Sequence, residues 1–116
     1  MLVAWTTPER EPDLAGGVVG LGSGLVAADR SGHGTYVSGA LALDTAQISE
    51  VLARDPGGHR VSAVVMHEMG HVLGLAHVTD PTQAMAPAAS ASNTVLGAGD
   101  RQGLALLGAG RCAPTL

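Results

Sequence analysis

Residues Met66 to His77 read MHEMGHVLGLAH. This stretch contains the spacing H-E-x-x-H-x-x-G-x-x-H, whose fixed residues are His67, Glu68, His71, Gly74 and His77. An α-helix turns by about 100° per residue, so His67 and His71, four residues apart, project from one face. Two imidazoles one turn apart can reach a single metal ion. Glu68 stands beside them, where it suits a general base acting on a water at the metal.

Gly74 and His77 extend this helical motif at its C-terminal end. Glycine tolerates positive φ, so Gly74 can end the helix and turn the chain sharply. The turn would bring His77 to the same ion as a third ligand. Three neutral imidazoles with one open position are typical of a catalytic zinc site. The alternative is a chance H-E-x-x-H helix followed by a surface histidine, and the added Gly74 and His77 disfavour it.

The composition predicts one domain, residues 1–116, with a core of small side chains. Hydrophobic residues make up 46% of the chain, with 17 glycines and no phenylalanine. Trp5 and Tyr36 are the only aromatic side chains among Phe, Trp and Tyr. We therefore expect modest stability, to which bound zinc would contribute through linkage.

Charge and hydropathy argue against two classes of partner. The net charge is −4 and no cluster of basic residues is present, which argues against nucleic acid. No apolar run approaches the roughly 18 residues that a membrane span needs. No signal peptide is visible at the N-terminus. Cys112 is the only cysteine, so an internal disulfide is excluded.

The order of elements is predicted from residue patterns. A strand at Leu2–Thr6 is followed by a loop at Thr7–Gly17, one or two strands in Val18–Ala28 and a strand at Thr35–Leu43. Helices follow at Thr45–Arg54, with Thr45 as N-cap, from His59 or Arg60 to Leu73, and at Gly99–Leu107, closed by Gly108. Gly20, Gly22 and Gly24 superficially suggest a phosphate loop, but they lack the G-x-G-x-x-G spacing and a following lysine.

The histidine motif followed by a methionine resembles the signature of the metzincin metallopeptidases. From His77 the chain reads HVTDPTQAMAP, which is similar to the matrixin branch of that clan. The resemblance implies an α+β fold: a metzincin-like small twisted mixed sheet with an active-site helix, a Met-turn and a C-terminal helix. It also implies a zinc-dependent endopeptidase acting on peptide or protein substrates. We expect a monomer.

The resemblance assigns roles to individual residues. Zinc would be bound by His67, His71 and His77, with Glu68 as general base. Met85 would form the Met-turn, and the wall of the pocket for the residue after the scissile bond would be Pro87, Ala88 and Ala89. Asp100 would hydrogen-bond the backbone around the Met-turn. Met85 could otherwise be an ordinary core methionine, and Asp100 a carboxylate favoured by the helix dipole.

Matrixins also hold a structural zinc ion and Ca²⁺ ions, in the region corresponding to Asp29–Gly34. Asp29 and His33 are the only candidate ligands there, so we expect one catalytic zinc ion, and calcium is not supported. The resemblance implies secretion. The strand at Leu2–Thr6 is similar to the third strand of the matrixin sheet. The earlier strands and a long helix would then lie outside this chain, or the sheet is a smaller variant.

Two other functions stay open from the sequence. One is a zinc-binding but inactive metzincin-like domain that acts as a binding module, which the reduced sheet favours. The other is a structural domain without a metal, which predicts that no zinc binds.

Overall fold

The computed structural model describes residues 1–87 and 93–110. Within them the chain forms strands β1 (Leu2–Thr6), β2 (Gly20–Ala28) and β3 (Gly34–Asp44), and a short 3₁₀ helix at Pro12–Leu14. The α-helices are α1 (Thr45–Arg54), α2 (His59–Leu73) and α3 (Ala98–Gly108). The α+β class is confirmed. Ala88, Ala89 and Cys112 lie outside the described residues.

The sheet is mixed, as expected, with the strand order β1-β3-β2. β1 runs parallel to β3, with Leu2 opposite Ala40 and Thr6 opposite Asp44. β2 is a single strand that pairs antiparallel with β3, from Gly20 opposite Leu43 to Ala28 opposite Gly34. β3 is therefore the central strand, and most of the buried residues of the sheet lie on it.

The apolar core lies between β3 and the helices. Leu41 and Leu43 of β3 and Ile48 of α1 are each 2% exposed. The partly buried hydrophobic residues packed against them are Val19, Val61, Val64, Val65 and Met69. This cluster is aliphatic apart from Met69 and contains no aromatic side chain. β1, at the edge, adds little, since Trp5 is 61% exposed.

Alternate glycines of β2 bring that strand unusually close to α2. A Cβ atom at Gly22 would overlap the main-chain carbonyl oxygen of Glu68, and one at Gly24 would lie 2.7 Å from the carbonyl oxygen of Val72. Side chains at these positions would push the helix away from the sheet. The glycine repeat therefore sets the distance between β2 and the helix that carries the H-E-x-x-H motif.

Three local predictions need correction. Helix α3 runs through Gly108 to a C-cap at Ala109 in the right-handed helical region, so Gly108 does not close it. The N-cap of α1 is Asp44, whose Oδ1 accepts a 3.0 Å hydrogen bond from the N–H of Gln47. Thr45 is the first helical residue instead, and its hydroxyl donates to the carbonyl of Thr6. The segment Thr7–Gly17 is also more ordered than a plain loop, because its 3₁₀ helix buries Leu14 to 1% exposure.

The ends of the helix bearing the motif are set by local chemistry. Asp55 Oδ2 accepts a 2.7 Å hydrogen bond from the N–H of Arg60 in the first turn of α2. Gly74 has φ of +106° and ends the helix, and the N–H of Leu75 returns to the carbonyl of Gly70. The sequence-based prediction that Gly74 turns the chain is confirmed. In the described part of the chain, no helix has the length and apolar character to cross a membrane.

Candidate metal centre

Three histidines converge at the C-terminal half of α2. His67 and His71 come from the helix and His77 from the segment after Gly74, and one ring nitrogen of each lies within 4.8 Å of the others. The Nε2 atom of His77 is 3.0 Å from that of His67 and 3.1 Å from that of His71. Nitrogens bound tetrahedrally to zinc at the usual distance lie about 3.3 Å apart. The spacing fits one shared zinc ion.

Backbone carbonyls set the proton positions on two of these rings. The Nδ1 atom of His67 is 2.7 Å from the carbonyl oxygen of Ala84, and that of His71 is 2.9 Å from the carbonyl oxygen of Leu75. A carbonyl only accepts, so each Nδ1 carries the hydrogen and each neutral ring presents a lone pair at Nε2. A hydrogen on Nε2 of His77 could be donated to the Nε2 atom of His67 or of His71, but not to both. One cation would accept lone pairs from all three rings, so the donor set fits a metal.

The turn that delivers His77 is packed against β3. A Cβ atom at Gly74 would overlap the hydroxyl of Tyr36, so glycine is needed there for space as well as for its positive φ. Beyond the turn, the N–H of Val78 donates to the carbonyl of Met85 at 3.0 Å. Burial lowers the pKa of His77, and the neighbouring His71 and His67 lower it further. His77 therefore favours the neutral form that binds a metal.

Glu68 lies beside the histidines and is half-buried. Burial raises the pKa of its carboxyl group, while His67, the backbone N–H of Gly22 and His71 oppose that rise. The Gly22 contact follows from the close approach of β2 and α2. A carboxylate with a raised pKa accepts a proton more readily, which suits a general base. The glycine repeat therefore also brings the backbone of Gly22 close enough to lower the pKa of Glu68.

A cavity of about 300 Å³ opens next to Glu68 and His67. Its other lining residues are Gly17, Val18, Val19, Gly20, Val64 and Pro87. Pro87 lines this cavity, whereas Ala88 and Ala89 lie outside the described residues. The pocket wall formed by Pro87, Ala88 and Ala89 stays a prediction. The sequence reasoning missed the three valines. Val64 could have been found, because it lies three and four residues before His67 and Glu68 and so shares their helix face.

Met85 packs against the middle of α2. It is 1% exposed, and a Cβ atom at Gly70 would overlap its sulfur. The contact explains the glycine inside the helix, where glycine is otherwise about 1 kcal/mol worse than alanine. Gly70 stands between His67 and His71 along the helix, so Met85 supports the turn that carries both. Its role as a Met-turn remains a prediction.

Asp100 of α3 joins the same segment. Its Oδ2 accepts a 2.7 Å hydrogen bond from the N–H of Ala84, and its Oδ1 accepts one of 3.3 Å from the N–H of Met85. The same carboxylate accepts from the N–H of Gly97 at the start of the helix. Both sequence-based predictions for Asp100 are confirmed. It accepts hydrogen bonds from the backbone at Ala84 and Met85, and it lies in the first turn of α3.

The loop containing Asp29 and His33 forms its own hydrogen bonds. Asp29 Oδ1 accepts from the N–H and hydroxyl of Ser31 and from the N–H of His33. Across the residues that the structure describes, His67, His71 and His77 form the one group of three or more His, Cys, Asp or Glu placed to share a metal. One zinc ion, without calcium, stays a prediction.

Comparison with known proteins agrees with this geometry. The sequence model of the family described as Matrixin matches residues 16–107, most of the chain and all of the metal centre. No solved structure matches the chain.

Proposed function

Because the chain belongs to the matrixin family, we propose that it is a zinc-dependent endopeptidase. Zinc would be held by His67, His71 and His77, and the substrate would be a peptide or protein. The observation that carries the proposal is the convergence of three Nε2 atoms, two of them with Nδ1 bound to backbone carbonyls, beside the half-buried Glu68. Zinc at such a site polarises a carbonyl group and lowers the pKa of a water towards about 7.

Glu68 is the general base of the proposed reaction. Its carboxylate takes a proton from the attacking water and then delivers it to the amine of the leaving peptide. Partial burial raises the pKa of Glu68, which favours proton acceptance, and the nearby backbone N–H of Gly22 opposes that rise.

The cavity next to Glu68 is the proposed pocket for the side chain that follows the scissile bond. Val18, Val19 and Val64 give it apolar walls, and Pro87 borders it. Ala88 and Ala89 complete the wall in this proposal. A volume of about 300 Å³ accommodates an apolar side chain of leucine size or larger, so we expect cleavage before such residues.

Further parts of the proposal follow from the family. Met85 is the methionine of the Met-turn, and its burial against Gly70 supports this. The protein acts as one monomeric domain and is secreted, as matrixins typically are.

Zinc binding and peptide cleavage, measured on one sample, test the proposal. Zinc-loaded protein is incubated with a diverse peptide library, and products are identified by mass spectrometry. We expect cleavage before apolar residues, loss of cleavage in excess chelator and recovery on adding zinc. Glu68→Gln should keep its zinc and lose activity by about 10²- to 10⁴-fold. Glu50→Gln, which changes an exposed carboxylate on α1, should keep full activity.

A second candidate is a zinc-binding module without peptidase activity. It is favoured by the exposed edge strand β1, where Val3 and Trp5 are 48% and 61% exposed and could contact a partner. This function predicts one zinc ion per chain and no cleavage of any library peptide. A protein that binds no zinc would refute both functions.

A further inference from the structure

The side chain of Gln83 joins the segment before Met85 to the start of α3. Its Oε1 accepts hydrogen bonds from the N–H of Gly99 at 2.9 Å and of Asp100 at 3.2 Å. Its Nε2 donates to Asp80 Oδ2 at 3.1 Å and to the hydroxyl of Thr82 at 3.3 Å. All the polar atoms of this side chain are therefore used, on two separate segments.

Gln83 replaces the missing N-cap side chain of α3. The first N–H groups of a helix have no partner within it, and the side chain of the N-cap residue usually accepts from the second or third. The N-cap of α3 is Gly97, which has no side chain to do so. Gly99 and Asp100 are the second and third residues of the helix, and Gln83 accepts from both.

Two glycines make room for this contact. A Cβ atom at Gly97 would overlap the side-chain amide of Gln83, and one at Gly99 would lie 3.1 Å from its Oε1. Glycine at a helix start gains no packing and loses more backbone entropy than alanine. The pair Gly97 and Gly99 is explained by the space that Gln83 occupies.

Hydrogen bonds connect Gln83 to a proposed zinc ligand. Gln83 fixes the N–H of Asp100, whose carboxylate accepts from the N–H of Ala84 at 2.7 Å. The carbonyl oxygen of Ala84 is 2.7 Å from Nδ1 of His67. The backbone of Gln83 is held as well, since its carbonyl accepts from the side-chain amide of Asn93.

We propose that Gln83 is a positioning residue for the zinc site, acting through Asp100 and Ala84 on the orientation of His67. This inference rests on the proposed function, since it assumes that the three histidines bind zinc. Loss of an outer partner of a metal ligand typically weakens metal binding by 10- to 100-fold. Gln83 acts through two intermediates, so we expect the lower end, about tenfold.

The test compares zinc affinity, by competition with a chelator, and the visible spectrum of the Co²⁺-loaded protein. Gln83→Ala should bind zinc about tenfold more weakly and show altered Co²⁺ bands, because His67 is less well oriented. Gln83→Met, which keeps the bulk of the side chain between Gly97 and Gly99, should show the same loss. Gln102→Ala, on the exposed side of α3, should match the wild type in both measurements.

An exchange variant checks that the hydrogen bonds cause the effect. Asp80→Asn combined with Gln83→Glu exchanges the amide and the carboxylate between the two positions. The carboxylate at position 83 can still accept from the N–H groups of α3. The amide at position 80 now donates the hydrogen bond between the two side chains. We expect the zinc affinity of this double variant to lie within about twofold of the wild type. Gln83→Ala, which lacks the hydrogen bonds, should lose about tenfold. Affinity as weak as that of Gln83→Ala would overturn the proposal.

A purely structural role for Gln83 would give a different result. If Gln83→Met folds and keeps wild-type zinc affinity and Co²⁺ bands, the inference is wrong, even where the metal-free variant unfolds at a lower temperature. If the wild type itself binds no zinc, the proposed function fails first.

Discussion

The N–H of Ala84 donates a 2.7 Å hydrogen bond to the carboxylate of Asp100. Ala84 is 1% exposed and Asp100 is 3% exposed, so this charge-assisted bond is shielded from water. The carbonyl of the same alanine faces Nδ1 of His67. Ala84 thus connects α3 to His67: its N–H binds Asp100, and its carbonyl determines that Nδ1 of His67 carries the hydrogen.

Removing this carboxylate should destabilise the protein. Asp100→Ala leaves the N–H groups of Ala84, Met85 and Gly97 without their acceptor, and each buried unsatisfied group costs about 1–3 kcal/mol. We expect the free energy of unfolding of the metal-free protein to fall by about 3 kcal/mol or more, measured by urea denaturation. Asp13→Ala, which removes an exposed carboxylate, should change it little. Equal effects of the two variants would show that Asp100 does not hold the segment.

Metal removal should lower the stability of the wild type. A ligand that binds only the folded state stabilises it by about 2.7 kcal/mol at a free concentration 100 times its dissociation constant. We expect the thermal midpoint to rise with added zinc and to return to the metal-free value in chelator. His71→Ala should lose most of this rise, whereas His33→Ala, outside the histidine cluster, should keep it. A zinc-dependent rise in His71→Ala equal to that of the wild type would place the metal elsewhere.

The sequence predicted the convergence of His67, His71 and His77 because their positions depend on local geometry. Helical periodicity sets the first two, and Gly74 at φ of +106° turns the chain towards the third. The element bounds were also close to the structure, since they depend on caps and on apolar periodicity. Two caps were wrong. Thr45 was predicted in place of Asp44 because both residue types favour the N-cap position. Gly108 was predicted to close α3, but the helix continues through it to Ala109.

Contacts between segments that are distant in the chain could not be predicted from local sequence patterns. Three such contacts require the tertiary fold: the pairing of Gln83 with α3, the valines of the cavity and the approach of Gly22 to Glu68. The glycines were visible in the sequence, but a glycine alone does not show which group approaches it. In β2 the approaching group is the backbone of α2, and at Gly97 it is a side chain.

The close packing of β2 on α2 makes Gly22 intolerant of substitution. In Gly22→Ala the new methyl group overlaps the carbonyl oxygen of Glu68, a backbone atom that cannot rotate away. We expect a loss of about 3 kcal/mol or more in the free energy of unfolding, or failure to fold, measured by circular dichroism and urea denaturation. Gly108→Ala has no atom within 4 Å of its new methyl group and should be nearly neutral. A Gly22→Ala protein as stable as Gly108→Ala would contradict this packing.

The raised pKa of Glu68 predicts a pH-dependent stability in the metal-free protein. The ordinary value is 4.5, and burial raises it in the folded state. The folded protein then holds the proton more tightly than the unfolded chain, so stability falls as pH rises from the ordinary pKa through the raised one. Glu68→Gln mimics the protonated side chain and lacks this loss.

Glu68→Gln should therefore match the wild type at about pH 4 and exceed it at about pH 7, because only the wild type loses stability when its carboxyl ionises. The free energy of unfolding, measured by urea denaturation in chelator across this range, gives that difference directly. Glu50→Gln provides the control, since Glu50 is an exposed carboxylate paired with Arg54. A wild type more stable than Glu68→Gln at pH 7 would mean that contacts with Gly22 and the histidines outweigh burial.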